Sequence, residues 1–110
     1  MLKSHKEFEY VYKKGHSAHS RSSVLFYLPK SGEKKVGYTA SKKVGNAVIR
    51  NRSKRRMRAL FKEQQDALAD GHYVYVAKAI LNDTAFDTLR RDLKYLIKKL
   101  GASQTSVMAH

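Results

Sequence analysis

The chain has 110 residues, with 23 lysines and arginines against 9 aspartates and glutamates. This net charge of +14 is far more than solubility needs and points to a polyanionic partner. A hydrophobic share of 42%, with 7 Tyr and 4 Phe, excludes a disordered basic tail and predicts one domain spanning residues 1–110. The absence of cysteine excludes disulfides, thiolate metal sites and a cysteine nucleophile.

Apolar runs such as Val24–Leu28 fall far short of the roughly 20 residues a spanning helix needs, and Met1–Lys6 has no signal-peptide core. The expected setting is the cytoplasm, away from membranes.

Ser4 and Glu7 have the spacing of a capping box. Phe8, Val11 and Tyr12 then share one helical stripe until Gly15, predicting a short amphipathic helix. His16–Ser23 is a weak strand, and Val24–Leu28 a strand buried on both faces and stopped by Pro29 and a turn at Gly32. Val36–Ala40 reads as the next strand of the same hairpin.

Asn46 is the expected N-cap of a long helix reaching about Ala69, with Ile49, Met57, Leu60, Phe61 and Leu68 inward and Gly71 at its end. Tyr73–Lys78 alternates as a strand. Phe86, Leu89, Leu93, Leu96, Ile97 and Leu100 then mark a last helix closed by Gly101, with residues 102–110 as a frayed tail. The order predicts an α+β layer fold.

Charge is unevenly spread along this order. Lys34 through Lys62 hold 11 basic residues and no acidic one, and seven of them fall within the 13 positions Arg50–Lys62. Crowding like charges at a helix start opposes both the macrodipole and i,i+4 spacing, so stability alone does not select it. A solvated helix face normally mixes both signs. The arginine-rich composition suits paired phosphate oxygens, and nucleic acid is the natural partner.

Ser41–Asn46 adds two lysines and a glycine before a helix start, an anion-binding arrangement without Walker spacing. Aromatic residues offer stacking surfaces for single-stranded bases. On spacing alone Phe8, Tyr12, Phe26, Tyr73 and Tyr75 read first as core, with stacking as the alternative.

No self-contained catalytic constellation emerges. The five histidines are scattered, His16 and His19 lack acidic neighbours, and the carboxylates do not cluster, although folding could gather Asp87 and Asp92. No catalytic residue is assigned, and no metal ligands are identified.

The stretch Val36–Arg58 nevertheless closely resembles the protein subunit of bacterial ribonuclease P. The resemblance rests on Arg50-Asn51-Arg52, then Lys54-Arg55 and Arg58, preceded by Ser41-Lys42-Lys43 and Gly45. It extends in element order from Phe8 to about Leu100. It implies a two-layer α/β sandwich of about four strands and three helices, with a left-handed strand–helix–strand crossover.

By resemblance the chain is the protein cofactor of an RNA-catalysed endonuclease that removes the 5′ leader of precursor tRNA. Mg2+ would be carried mainly by the RNA, and no obligate protein partner is expected. Arg50, Asn51, Arg52, Lys54, Arg55 and Arg58 would contact the catalytic RNA. Phe8, Tyr12 and Phe26 would line a leader-binding cleft, with Lys42 and Lys43 beside it and open to either leader phosphates or catalytic RNA.

Two positions depart from the family pattern: Tyr12 replaces an expected Phe, and Ala40 a larger branched residue. The rival readings are a non-catalytic RNA-binding module, a membrane-surface helix, whose Trp and Leu enrichment is missing, and a protein-only nuclease.

Overall fold

Local chemistry sets the helix ends. In the computed structural model, which describes Leu2 and residues 4–102, helix α1 (His5–Lys14) starts at the capping box of Ser4 and Glu7. Helix α2 (Ala47–Gln64) starts where the Asn46 side chain accepts a hydrogen bond from Ile49 N at 3.0 Å. Helix α3 (Phe86–Leu100) closes on Gly101, whose φ of 65° is the left-handed conformation glycine adopts at least cost.

Four strands complete the order: β1 (His16–His19), β2 (Ser23–Pro29), β3 (Lys34–Ala40) and β4 (Gly71–Ala77). The strand order is β1-β2-β4-β3, which corrects the predicted β2–β3 hairpin. β4 lies between those two strands, antiparallel to β2 and parallel to β3. Six of its seven residues are buried, so it needs a neighbour at each edge, whereas β3 is mostly half-buried and takes the edge. Two parallel strands cannot be joined by a tight turn, and α2 supplies the crossover.

Two further expectations are corrected at chain turns. α2 ends at Gln64 rather than near Ala69, and a 3-10 turn over Gln65–Ala67 delivers Leu68 to the core. Ala69 N then donates to Ala102 O at 2.6 Å, and Tyr73 OH donates to Ala69 O at 2.6 Å. Ala102 is consequently buried and pinned, not frayed, while the rest of the expected tail, 103–110, lies outside the described residues.

The side-chain alternation of the sheet separates two layers. On one face Leu25, Tyr27, Tyr73 and Tyr75 pack with Met57, Leu60 and Phe61 of α2 and Leu89, Leu93, Leu96 and Ile97 of α3. Tyr73 and Tyr75 are fully buried there, so the core reading of both holds. On the other face α1 covers a smaller cluster of Leu2, Val11 and Val74, flanked by Phe8, Phe26, Leu28 and Val76. Ile49, expected inward, is 38% exposed at the first turns of α2.

Candidate nucleic-acid interface

The α2 core stripe runs through Ser53, Met57, Leu60 and Phe61, and helical geometry turns the intervening residues outward. Asn51, Arg52, Arg55, Arg58 and Lys62 are exposed, and Arg50, Lys54 and Arg56 half-buried. Among the described residues none of these cations forms an ion pair, whereas Arg90 on α3 binds both Glu63 and Asp87. The exposed face of α2 therefore carries a positive field with no internal counterion.

The basic residues of α2 fall into different structural roles. Arg56 donates from Nη1 to Leu81 O at 3.1 Å and from Nη2 to Thr84 O at 2.9 Å, with its guanidinium 5.8 Å from the Phe86 ring centre. It clamps the β4–α3 connection onto α2 instead of facing outward. Arg58 lies 5.6 Å over the Tyr38 ring, and burial pushes the Tyr38 hydroxyl up to about 12 despite that neighbouring cation. Arg50 buries its Nε without a partner.

Ahead of α2, Lys42–Val44 forms a 3-10 turn whose Val44 is anchored in the core while Lys42 and Lys43 face solvent. The turn leads directly out of β3, so the two lysines stand in the chain between the sheet and the basic helix.

On the second sheet face the predicted aromatics converge. The Tyr12 and Phe26 rings meet edge-on at 4.7 Å, and Phe8 lies over Gly37. A Cβ at Gly37 would come within 2.4 Å of the Phe8 ring, so glycine is what lets that ring reach the sheet. Val11 is fully buried beneath, but Tyr12 remains 39% exposed and Phe8 and Phe26 half-buried. These rings are partly exposed aromatic surface on the α1 face of the sheet.

Asp87 and Asp92 are not gathered: Asp87 pairs with Arg90, and Asp92 accepts from Ser22 Oγ at 2.5 Å. At the far end of β4, Glu33 accepts from His72 Nε2 at 3.0 Å, and with Lys30 and Lys35 beside it the Glu33 carboxyl is pulled down to about 2.

The family model for Ribonuclease P matches residues 1–101. The chain belongs to the ribonuclease P protein family.

Family members with similar sequences include the ribonuclease P protein components of a Nitratiruptor species and of Shouchella clausii, each 43% identical. The alignments cover 90% and 89% of this chain and 90% and 83% of theirs. Among solved structures, the RNase P protein of Staphylococcus aureus superposes with a TM-score of 0.82 at 28% identity, covering 94% of this chain and 96% of that one. The Thermotoga maritima RNase P protein, at 23% identity and a TM-score of 0.78, shares the fold.

Within this ribonuclease P protein, sequence reasoning missed Gly37 as the seat of Phe8, and Asn82 as a support of α2. Asn82 Nδ2 donates to Ile49 O at 3.2 Å and to Ser53 Oγ at 2.8 Å. One available signal was Ser53, a small polar residue on the inward stripe of a basic helix, which needs a buried partner. Nothing in the sequence spacing points to Asn82, 29 positions away.

Proposed function

We propose that this chain is the RNA-binding protein subunit of ribonuclease P, acting in maturation of the tRNA 5′ end. The observation that carries this reading is the α2 face of Asn51, Arg52, Arg55 and Arg58, which holds cations with no carboxylate partner among the described residues. Together with Arg50 and Lys54 it binds the catalytic RNA, where guanidinium forks match paired phosphate oxygens. This charge offsets repulsion between the backbones of the catalytic RNA and its substrate.

The cleft of Phe8, Tyr12 and Phe26 holds the single-stranded 5′ leader of precursor tRNA, with bases stacking on exposed ring faces at about 1–3 kcal/mol each. Lys42 and Lys43 supply charge for leader phosphates or for the catalytic RNA. Mature tRNA lacks a leader, so it forfeits this binding energy and departs. The protein thereby favours precursor over product while the RNA performs the cleavage.

Magnesium supplies the Lewis acid of that cleavage. Among the described residues no three His, Asp or Glu side chains converge into a cage for a metal ion. No described helix is long and apolar enough to cross a membrane, and the proposed place of action is the cytoplasm.

The test is reconstitution with a transcribed bacterial ribonuclease P RNA and a 5′-extended precursor tRNA, at magnesium too low for the RNA alone. Cleavage at the mature 5′ end should require both components. Tyr12→Ala should weaken binding of precursor but not of mature tRNA. RNA binding with no gain in cleavage would instead make the chain a general RNA-binding module.

A further inference from the structure

A cavity of about 330 Å³ opens where the β1–β2 turn meets the β4–α3 connection and the first turns of α3. Arg21 and Ser22 line it from the turn, Ile80 and Asp83 from the connection, and Thr88 and Asp92 from α3. Its volume is at the lower end of the roughly 300–1,000 Å³ of small-molecule sites.

The walls are fixed in advance. Ser22 O accepts from Lys78 N at 3.0 Å and Ser20 Oγ accepts from Ser23 N at 3.0 Å, which holds the turn. Arg56 holds the connection through Leu81 O and Thr84 O. Ser22, 1% exposed, donates from Oγ to Asp92 Oδ2 and so orients that carboxylate.

Opposite charges face this one space without neutralising each other. Among the described residues Arg21 pairs with neither Asp83 nor Asp92, and neither carboxylate has another cationic partner. Asp92 Oδ1 makes no hydrogen bond to the protein and is not buried, and the same holds for Thr88 Oγ1. Two carboxylates against one guanidinium repel a bare phosphate, so the cavity is the electrostatic reverse of the α2 face.

What fits is a flat, neutral group with N–H donors for a carboxylate, acceptors for a guanidinium and an apolar face for Ile80. Among nucleobases guanine has that arrangement. Its O6 and N7 take an arginine fork, and its N2 amine, with N1–H beside it, serves a carboxylate. Adenine carries its N6 amine where guanine has O6, which sets donor against donor at the arginine.

We propose that this cavity binds a guanine base, with O6 and N7 on Arg21, N1–H and N2–H donating to Asp92 Oδ1, and the ring against Ile80. A free nucleoside and an unpaired guanine in an RNA strand present the same edges, with the sugar and any phosphate left outside. The assignment does not depend on the RNA-subunit reading, because it is tested on the protein alone.

The test titrates the full-length protein with guanosine, reading the dissociation constant by calorimetry and the residues affected by amide chemical shifts. Guanosine should bind about tenfold tighter than adenosine or than inosine, which lacks the N2 amine, with shifts at the cavity walls. Arg21→Ala, at an exposed position, should weaken guanosine by about the same factor and no longer distinguish it from 7-deazaguanosine, which lacks N7. Asp92→Asn keeps an acceptor for Ser22 but turns a donor to the cavity, and should abolish the preference for guanosine over inosine.

A single-stranded pentanucleotide with one central guanine, set against the same strand with adenine, decides the source. In the part of its binding that Asp92→Asn removes, an affinity above that of guanosine assigns the site to an RNA strand, and one below it to a free nucleoside. Equal binding of guanosine and adenosine, shifts confined to α2, or no binding at millimolar guanosine overturns the proposal. None of these outcomes touches cleavage in the reconstituted system, which tests the RNA-subunit reading separately.

Discussion

α2 and α3 cover the same face of the sheet, and each buries four residues, yet they treat charge in opposite ways. α3 places Asp87 in its first turn and Lys98 and Lys99 in its last, complementing its dipole, and ties Arg90 to Glu63 and Asp87 at 2.6–2.7 Å. α2 has no acidic residue in its first turn and leaves its outward cations unpaired among the described residues. Folding accounts for α3. The charge on α2 carries an electrostatic cost in the free protein, and a polyanion reverses that cost on binding.

The contrast can be broken most forcefully from the α3 side. Leu93→Ala, at a position 1% exposed, should destabilise the fold by about 2–5 kcal/mol in denaturant unfolding, while RNA affinity measured well below the transition stays unchanged. An equal loss of affinity would mean that α3 also touches the RNA.

Within α2, Arg56 should behave like an α3 residue. Arg56→Ala removes two charge-assisted hydrogen bonds to carbonyls and should cost about 1–3 kcal/mol of stability, with the salt dependence of RNA binding kept. Arg55→Ala should show the reverse pattern. Its stability should move by no more than about 0.5 kcal/mol, whereas the slope of log affinity against log salt should fall by about 0.7–0.9, the signature of one lost phosphate contact. Identical slopes for Arg55→Ala and wild type would remove Arg55 from the interface.

The smallest effect concerns pH. Because the folded Glu33 carboxyl is held at about 2, below its ordinary 4.5, its pairing stabilises the fold fully above 4.5 and is lost as pH falls toward 2. Unfolding measured between pH 6 and pH 2 should show a shallower acid loss for Glu33→Gln than for wild type, without any change in RNA binding at neutral pH.

Much of this was legible in the chain because it is local. The Ser4–Glu7 box, Asn46 and Gly101 are each read from side chains within a few positions of the backbone groups they serve. The basic helix was equally plain, since a run of 11 cations from Lys34 to Lys62 needs no fold to be noticed. The convergence of Phe8, Tyr12 and Phe26 followed from family resemblance, because their spacing alone favoured a core role.

What the sequence determined by itself was the type of most elements, several of their ends, and the concentration of positive charge, all products of short-range chemistry and composition. Only the tertiary structure decided that β4 enters between β2 and β3, because strand pairing is a competition among distant segments, won here by the strand with apolar residues on both faces. It also decided that Arg56 turns inward to Leu81 and Thr84 while Arg55 turns out. Neighbouring residues on a helix point about 100° apart, and which of them meets a carbonyl depends on what packs beside the helix.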